Sequence, residues 1–156
     1  MASENCDYCD PQAEDIKRAF NFLTTEEVGI LCPYLELREW QQDATVMKEG
    51  IVEDYIGFLI EGKLAVKKHT GYWDKHIIIA ILDKGTLVGE GAFIETGPRS
   101  TTVVAMEKCR LLILTAEKMN DLILNRPMIA IKLLKHMLHI ISLRLKKAGD
   151  RIAELL

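Results

Sequence analysis

The chain has 156 residues, 49% hydrophobic and 28% charged, a composition typical of one folded domain and not of a disordered chain. A net charge of −3 argues against bulk electrostatic binding of nucleic acid, and the longest apolar run, Ile77 to Leu82, is too short to cross a membrane. The first basic residue is Lys17, so we expect no secretory leader, and four cysteines are too few for a disulfide-stapled secreted scaffold. We therefore expect a cytoplasmic protein that is not membrane-bound.

The N-terminal part predicts two short helices. Residues 1–10 are polar and acidic, and we expect them to form a flexible tail. An amphipathic segment runs from Pro11 to Phe20, and Thr24 or Thr25 caps a second helix that Pro33 ends.

From Leu35 the apolar pattern changes to that of short strands separated by turns. The predicted strands lie between Leu35 and Gly50, then at Tyr55–Ile60, Leu64–Val66, His76–Leu82, Thr101–Ala105 and Arg110–Leu114. The isoleucine-rich segment His76–Leu82 is predicted to be buried. This spacing indicates an α+β fold, in which short helices and a long C-terminal helix flank an antiparallel β-barrel or jelly roll. We expect that domain to span residues 11–125.

The last segment, residues 126–156, predicts one long helix, preceded by a shorter one that Thr115 caps. Its apolar residues are spaced alternately three and four apart, which is a heptad seam. The seam residues are Ile131, Leu134, Leu138, Ile141, Leu145, Ala148, Ile152 and Leu155. A second stripe, Leu133, Met137 and Ile140, occurs only in the first half. Packing along the chain's own domain explains one stripe but not two, so we predict that the seam forms a homodimer.

A glycine-rich segment between the strands carries the features of an anion site. Gly85, Gly89, Gly91 and Gly97 allow close backbone approach, and the turn beginning at Gly91 directs N–H groups at an anion. The other candidate ligands are Arg99, whose guanidinium matches phosphate, the hydroxyls of Ser100 and Thr101, and Glu90, an acceptor suited to a ribose diol. Alternatively, Glu90 and Arg99 pair with each other across a surface turn.

The sequence Gly89-Glu90, then Ala92, then Pro98-Arg99-Ser100-Thr101-Thr102-Val103 closely resembles the phosphate-binding cassette of cyclic-nucleotide-binding domains. These domains occur in the catabolite activator protein, in regulatory subunits of protein kinase A and in cyclic-nucleotide-gated channels. The resemblance runs from about Leu35 to the end of the C-terminal helix.

The resemblance implies a role for each part of the cassette and implies cyclic AMP or cyclic GMP as the ligand, with no other cofactor. Arg99 would bind the cyclic phosphate, Glu90 would accept from the ribose 2′-hydroxyl, and the N–H groups of Gly91 and Ala92 would cap the phosphate with help from Ser100. The base and sugar would be lined by Val66, Ile79 and Leu82, with Arg144 of the long helix reaching the base. Family transcription factors carry a DNA-binding domain after that helix; here we expect none, and we expect the signal to pass to an unidentified protein partner.

Other functions remain open at this point. Cys6 and Cys9 have a spacing used for metal ligation, so a metal or redox sensor is one alternative, although no complete ligand set is predicted. A ligand-independent dimerisation module and a truncated transcription regulator are others. No nucleophile lies beside a candidate base and no Walker loop is present, so we do not expect an enzyme.

Overall fold

The computed structural model describes residues 7–156, which form four α-helices and eight β-strands. The helices are α1 (Glu14–Ala19), α2 (Thr25–Leu31), α3 (Ala116–Asn125) and α4 (Pro127–Glu154). The strands are β1 (Glu36–Trp40), β2 (Thr45–Met47), β3 (Tyr55–Glu61), β4 (Lys63–His69), β5 (His76–Asp83), β6 (Leu87–Val88), β7 (Thr102–Ala105) and β8 (Cys109–Thr115). Short 3₁₀ turns occupy Cys32–Tyr34 and Glu90–Phe93.

The strands form two four-stranded sheets, ordered β1-β8-β3-β6 and β2-β7-β4-β5, in which every neighbouring pair is antiparallel. Short helices precede the sheets and the long helix α4 follows them. The predicted α+β jelly roll is therefore confirmed. The two-residue strand β6 was not predicted, because Leu87 and Val88 are too few to show a pattern, and α1 begins at Glu14 instead of Pro11.

Side-chain caps explain where two helices begin. The Thr24 hydroxyl accepts from the Glu27 amide at 3.2 Å while the Glu27 carboxylate accepts from the Thr24 amide at 3.0 Å, a complete capping box. Thr115 caps α3 in the same way by accepting from the Lys118 amide at 3.2 Å. Both caps were predicted from hydroxyl residues that precede an apolar periodic segment.

Two groups of buried side chains form the core. The helix-side cluster lies where α1 and the first half of α4 meet the sheet containing β3, and its central contact is Phe20 against Phe58, with ring centroids 4.8 Å apart. The barrel cluster lies between the two sheets and includes Leu64, Val103 and Leu111. The glycine-rich segment 85–103 includes β6 and is thus attached to the barrel cluster through Val88.

Strand β5 corrects one prediction. The segment His76–Leu82 was expected to be buried, but Ile77, Ile78, Ile79 and Ile81 are between 39% and 57% exposed. The reason is position: β5 lies at the edge of its sheet with β4 as its only neighbour there, and none of these isoleucines packs into either core cluster. A run of isoleucines indicates a strand but not its place in the sheet.

Helix α4 presents two different apolar faces, as its two stripes predict. Ile129, Ala130, Leu133 and Met137 are buried in the helix-side cluster, with Ile140 packed beside them. Seam residues lie elsewhere on the helix and are largely exposed: Ile131 by 43%, Leu138 by 66%, Leu145 by 73% and Ile152 by 61%. Within residues 7–156 no helix combines the length and the apolarity needed to cross a membrane.

The start of the described chain also differs from the expected flexible tail. Cys9 is 3% exposed and forms a disulfide with Cys32, and the Tyr8 hydroxyl donates to the Leu35 carbonyl at 2.9 Å. These residues pack against the helix-side cluster because the disulfide and the aromatic ring hold them there. Cys6, the other member of the predicted metal-ligand pair, lies outside the described residues.

Candidate functional site

Gly89 sets the geometry of the cassette, defined here as residues 85–103. Its φ of +85° is the left-handed conformation that glycine tolerates, and a Cβ there would lie 2.7 Å from Met47 Cε and 2.8 Å from Arg99 Nη1. Gly89 therefore serves two purposes: it turns the chain from β6 into the 3₁₀ turn, and it leaves space for the guanidinium of Arg99. Of the other cassette glycines, Gly85 also has a positive φ, whereas Gly91 and Gly97 do not.

Arg99 is the one charged residue that is buried among residues 7–156, with 8% of its surface exposed. Nη1 donates to the Gly89 carbonyl at 3.1 Å and Nη2 donates to the Tyr55 carbonyl at 2.7 Å. The guanidinium also lies 4.8 Å from the centroid of the Tyr55 ring, a cation–π distance. Two backbone carbonyls and an aromatic face thus hold the side chain in a fixed orientation at the base of the cassette.

The charge of Arg99 is only partly compensated. Its one carboxylate partner in the described structure is Glu53, whose Oε2 lies 3.4 Å from Nη2. The Nε atom is buried and has no hydrogen-bond partner among the described residues. A buried donor without an acceptor is costly, commonly by about 1–3 kcal/mol. An anion that accepted a hydrogen bond from Nε would therefore be favoured. Burial, with a further contribution from the Glu53 carboxylate, raises the pKa of the neighbouring Tyr55 phenol.

Glu90 pairs with the long helix and not with Arg99. The Glu90 carboxylate accepts from Arg144 Nη1 at 3.0 Å, and Arg144 Nη2 donates to the Thr86 hydroxyl at 3.2 Å and to the Leu87 carbonyl. The alternative, in which Glu90 and Arg99 pair with each other, is therefore not found in the structure. Instead, Arg144 connects α4 to both sides of β6.

The remaining predicted residues divide into three groups. The 3₁₀ turn includes Gly91 and Ala92, and begins at Glu90, one residue earlier than expected. Ser100 is exposed and its carbonyl accepts from Lys68, while Thr101 is half-buried. Val66 and Leu82 are half-buried against the barrel cluster.

Ile79 does not pack against the barrel cluster as Val66 and Leu82 do. Its side chain is 39% exposed, and it lies at the register shift where Val66 pairs with Ala80 and Lys67 pairs with Ile78. The Ile79 carbonyl, freed by this bulge, accepts from Arg151 Nη1 at 3.1 Å. A second arginine of α4, Arg151, therefore contacts the barrel on β5, the strand that precedes the cassette in the sequence.

Sequence reasoning missed Glu53, Tyr55, Thr86 and Arg151. Each acts through a partner at least 46 residues away, or through a backbone carbonyl, so no local spacing reveals it. Tyr55 was recognised only as the start of a strand. Within residues 7–156 no group of three or more histidine, cysteine or acidic side chains is placed to hold a metal ion.

Comparison with known proteins identifies the family of this chain. Residues 37–126 match the family model of the cyclic nucleotide-binding domain. Over 112 residues the chain is 30% identical to a cyclic AMP receptor protein of Thermus thermophilus, and the alignment covers 71% of this chain and 51% of that relative. The chain thus spans about half the length of the relative.

Two solved structures are similar to the whole architecture. A cyclic nucleotide-binding domain from Methylobacillus flagellatus superposes with a TM-score of 0.84 at 26% identity, over 96% of this chain and 85% of that one. The catabolite activator protein of Thermus thermophilus superposes with a TM-score of 0.73 at 26% identity, over 88% of this chain and 62% of that one. Because the family model covers more than half of the sequence, this chain belongs to the cyclic nucleotide-binding domain family of regulatory domains.

Proposed function

We propose that this chain is a cyclic-nucleotide sensor that binds cyclic AMP or cyclic GMP in the cassette and signals through α4 as a homodimer. The observation that carries the proposal is Arg99: a buried guanidinium, held by backbone carbonyls, with an unpartnered Nε. Such a preorganised cation suits a single negative charge, and a cyclic phosphodiester carries one.

The phosphate is assigned to Arg99 together with the N–H groups of Gly91 and Ala92 and the hydroxyls of Ser100 and Thr101. Because Gly89 already holds Nη1 in place, little side-chain entropy is lost when the anion binds. Glu53 is the competing partner, since its carboxylate lies 3.4 Å from the same guanidinium.

The ribose and base are assigned to the side of the cassette that faces α4. Arg144 engages one oxygen of Glu90, Oε1, and we assign the ribose 2′-hydroxyl to the other. We assign the base to the half-buried apolar surface of Val66 and Leu82, with the more exposed Ile79 at its margin and Arg144 reaching it from α4. A ligand in this position would contact both the barrel and α4, so it would favour one position of the helix over another.

Calorimetric titration with cyclic AMP and, separately, cyclic GMP tests the proposal. The relative named above is a cyclic AMP receptor protein, so cyclic AMP is the first ligand to examine. Replacing Arg99 by alanine should weaken binding by about 100-fold or more, since at least two charge-assisted hydrogen bonds are lost. Arg99→Lys keeps the charge but not the planar fork, and should weaken binding less.

Arg126→Ala is the matched control, because it removes an exposed arginine at the junction of α3 and α4. It should bind the nucleotide as the unaltered chain does. If neither nucleotide produces heat at millimolar concentration, the sensor proposal fails and a ligand-independent dimerisation module becomes the better account. Normal binding by Arg99→Ala would place the phosphate elsewhere.

The exposed seam of α4 supports the dimer part of the proposal. Leu138, Leu145 and Ile152 are all more than 60% exposed on one chain, while the second stripe of the helix is buried in the same chain. Pairing with a second copy would remove these leucine and isoleucine side chains from water. The downstream protein partner is not identified by these features, and a cytoplasmic location stays a prediction.

A further inference from the structure

A covalent bond joins the start of the described chain to the helical part of the molecule. Cys9 and Cys32 form a disulfide whose Cα atoms are 5.8 Å apart, within the usual range. Both cysteines belong to the helix-side cluster, with 3% and 4% of their surfaces exposed. Neither sulfur lies among the residues assigned to the nucleotide, so the function proposed above leaves this bond unexplained.

The bond closes a ring over residues 9–32, which we call the N-terminal ring. The ring contains all of α1 and α2, and its buried side chains Ile16, Phe20 and Leu31 supply part of the helix-side cluster. A cross-link between residues 23 positions apart restricts the unfolded chain considerably. The bond is therefore expected to hold both short helices against the barrel.

The N-terminal ring also contacts the first half of α4 directly. Lys132 Nζ donates to both carboxylate oxygens of Glu27, at 2.9 and 2.8 Å, which lowers the pKa of that carboxyl group. The Phe22 ring stacks on the His136 imidazole, with centroids 4.0 Å apart. Glu27 and Phe22 are both inside the ring, so these two contacts transmit its position to α4.

We propose that Cys9–Cys32 is a reversible thiol–disulfide site whose state controls how firmly the N-terminal ring holds the first half of α4. The co-reactant is a dithiol, either a small molecule or a thioredoxin-like protein. One thiolate of the dithiol attacks a sulfur of the bond, and the other cysteine leaves as a thiolate and takes up a proton. The second thiol of the dithiol then displaces the first protein sulfur, so the protein gains two thiols and the dithiol becomes a disulfide.

Access to the buried sulfurs is through the short segment 7–10. The hydrogen bond from the Tyr8 hydroxyl to the Leu35 carbonyl, 2.9 Å long, is a contact that must open, and it is only partly buried. Local opening of a short segment is far less costly than unfolding the domain. Disulfides in cytosolic proteins are mostly transient or redox-sensing, and a cytoplasmic chain is what the sequence predicts here.

The first experiment compares the full chain before and after treatment with dithiothreitol, with no nucleotide present. Peptide mapping after acid quench and alkylation should find Cys9 joined to Cys32 in the oxidised protein. Reduction should lower the melting temperature by about 5–10 °C, because a bond of this kind commonly contributes a few kcal/mol. Amide exchange in residues 127–140 should rise several-fold on reduction, measured by mass spectrometry.

Two variants separate this bond from the other cysteines. The double substitution Cys9→Ser with Cys32→Ser should remove the response to dithiothreitol, whereas Cys6→Ser should keep it. A peptide map that showed a disulfide between Cys6 and Cys9, or no disulfide after air oxidation, would overturn the proposal. So would reduction that left the melting temperature and the exchange of α4 unchanged. If the double variant fails to fold, the comparison on the unaltered chain still decides, and no readout depends on nucleotide binding.

Discussion

Arg144 and Glu90 lie 54 residues apart in the sequence, yet their side chains meet at 3.0 Å and join the middle of α4 to the cassette. Arg144 also reaches Thr86 and the Leu87 carbonyl, so one side chain of α4 contacts the residues before and after Gly89. Any movement of α4 therefore changes the surroundings of the carboxylate that we assign to the ribose.

This contact should be measurable as a coupling energy. The Arg144 and Glu90 side chains are 32% and 22% exposed, so solvent screens the pair and we expect a coupling of only about 0.5–1 kcal/mol in the free energy of unfolding. Urea unfolding of Arg144→Ala, Glu90→Ala and the double variant gives the value. The pair Arg38 and Glu36, which is 36% and 59% exposed, is the control and should couple more weakly. Strictly additive effects at Arg144 and Glu90 would mean that the contact contributes nothing.

Gly89→Ala should damage both stability and nucleotide binding. The added Cβ would meet Met47 Cε at 2.7 Å and Arg99 Nη1 at 2.8 Å, in a backbone conformation that alanine rarely adopts. We expect a loss of about 1–3 kcal/mol in unfolding free energy, with weaker binding because Arg99 must move. Gly97→Ala is the control, since a Cβ there meets nothing within 4 Å and should change stability little. Equal effects of the two substitutions would count against the role given to Gly89.

Glu53→Gln should strengthen the binding of a cyclic nucleotide. The Glu53 carboxylate lies 3.4 Å from Arg99 Nη2 and competes with the phosphate for the same charge. Its removal should tighten binding by about 3- to 10-fold at low salt, the range expected for removing a like charge near a half-buried anion site. Calorimetry at 20 and 300 mM salt checks this, with Glu36→Gln as the control. Weaker binding by Glu53→Gln would show instead that Glu53 is needed to orient Arg99.

Leu138→Lys tests the dimer. Leu138 is 66% exposed on one chain, so a lysine there is tolerated by a monomer, but in a paired seam it would bury a charge. The mass measured by light scattering after gel filtration should change from that of two chains to that of one chain in Leu138→Lys. Leu143→Lys makes the same chemical change at an exposed position away from the seam and should leave the mass unchanged. A monomeric mass for the unaltered chain would end the dimer proposal directly.

His136 should make the stability depend on pH. Burial against Phe22, with a further contribution from His139, lowers the pKa of His136 below its ordinary value of 6.5. Between that lowered pKa and 6.5 the unfolded chain binds more protons than the folded one, so stability is full above pH 6.5 and falls as the pH drops through this window.

Thermal unfolding between pH 8 and 5.5 measures this effect. His136→Gln should lower the melting temperature at all pH values, because the stacking is lost, but it should flatten the decline on acidification. His76→Gln removes an exposed imidazole on β5 and should leave the slope as it is in the unaltered chain. An identical slope in His136→Gln would assign the pH dependence to other groups.

Local chemistry explains why much of the fold could be predicted. Thr24 and Thr115 cap helices through residues three positions away, and the heptad spacing of α4 separates its seam from its buried stripe within one helix. Gly89, Glu90 and Arg99 lie within eleven residues of one another, so the cassette is visible as a motif. In each case the interacting groups are close in sequence, and the pattern itself carries the information.

Contacts between distant segments could not be predicted in this way. Tyr55 holds Arg99 from 44 residues away, and Cys9 reaches Cys32 across two helices, although the sequence suggested Cys6 and Cys9 together as a metal or redox site. The isoleucines of β5 show why composition misleads: the same residues would be buried in a central strand and are exposed in an edge strand. These outcomes depend on which segments become neighbours when the chain folds.

The sequence alone predicted the jelly roll, the long helix with its two faces, and the candidate residues of the phosphate cassette, because each prediction rests on a pattern within one element or one loop. The folded structure was needed to show that Arg99 is buried against Tyr55, that Glu90 pairs with Arg144, and that the N-terminal ring contacts α4. Those relationships arise from packing between elements distant in the chain, where exclusion of water and close approach determine which charges and sulfurs meet.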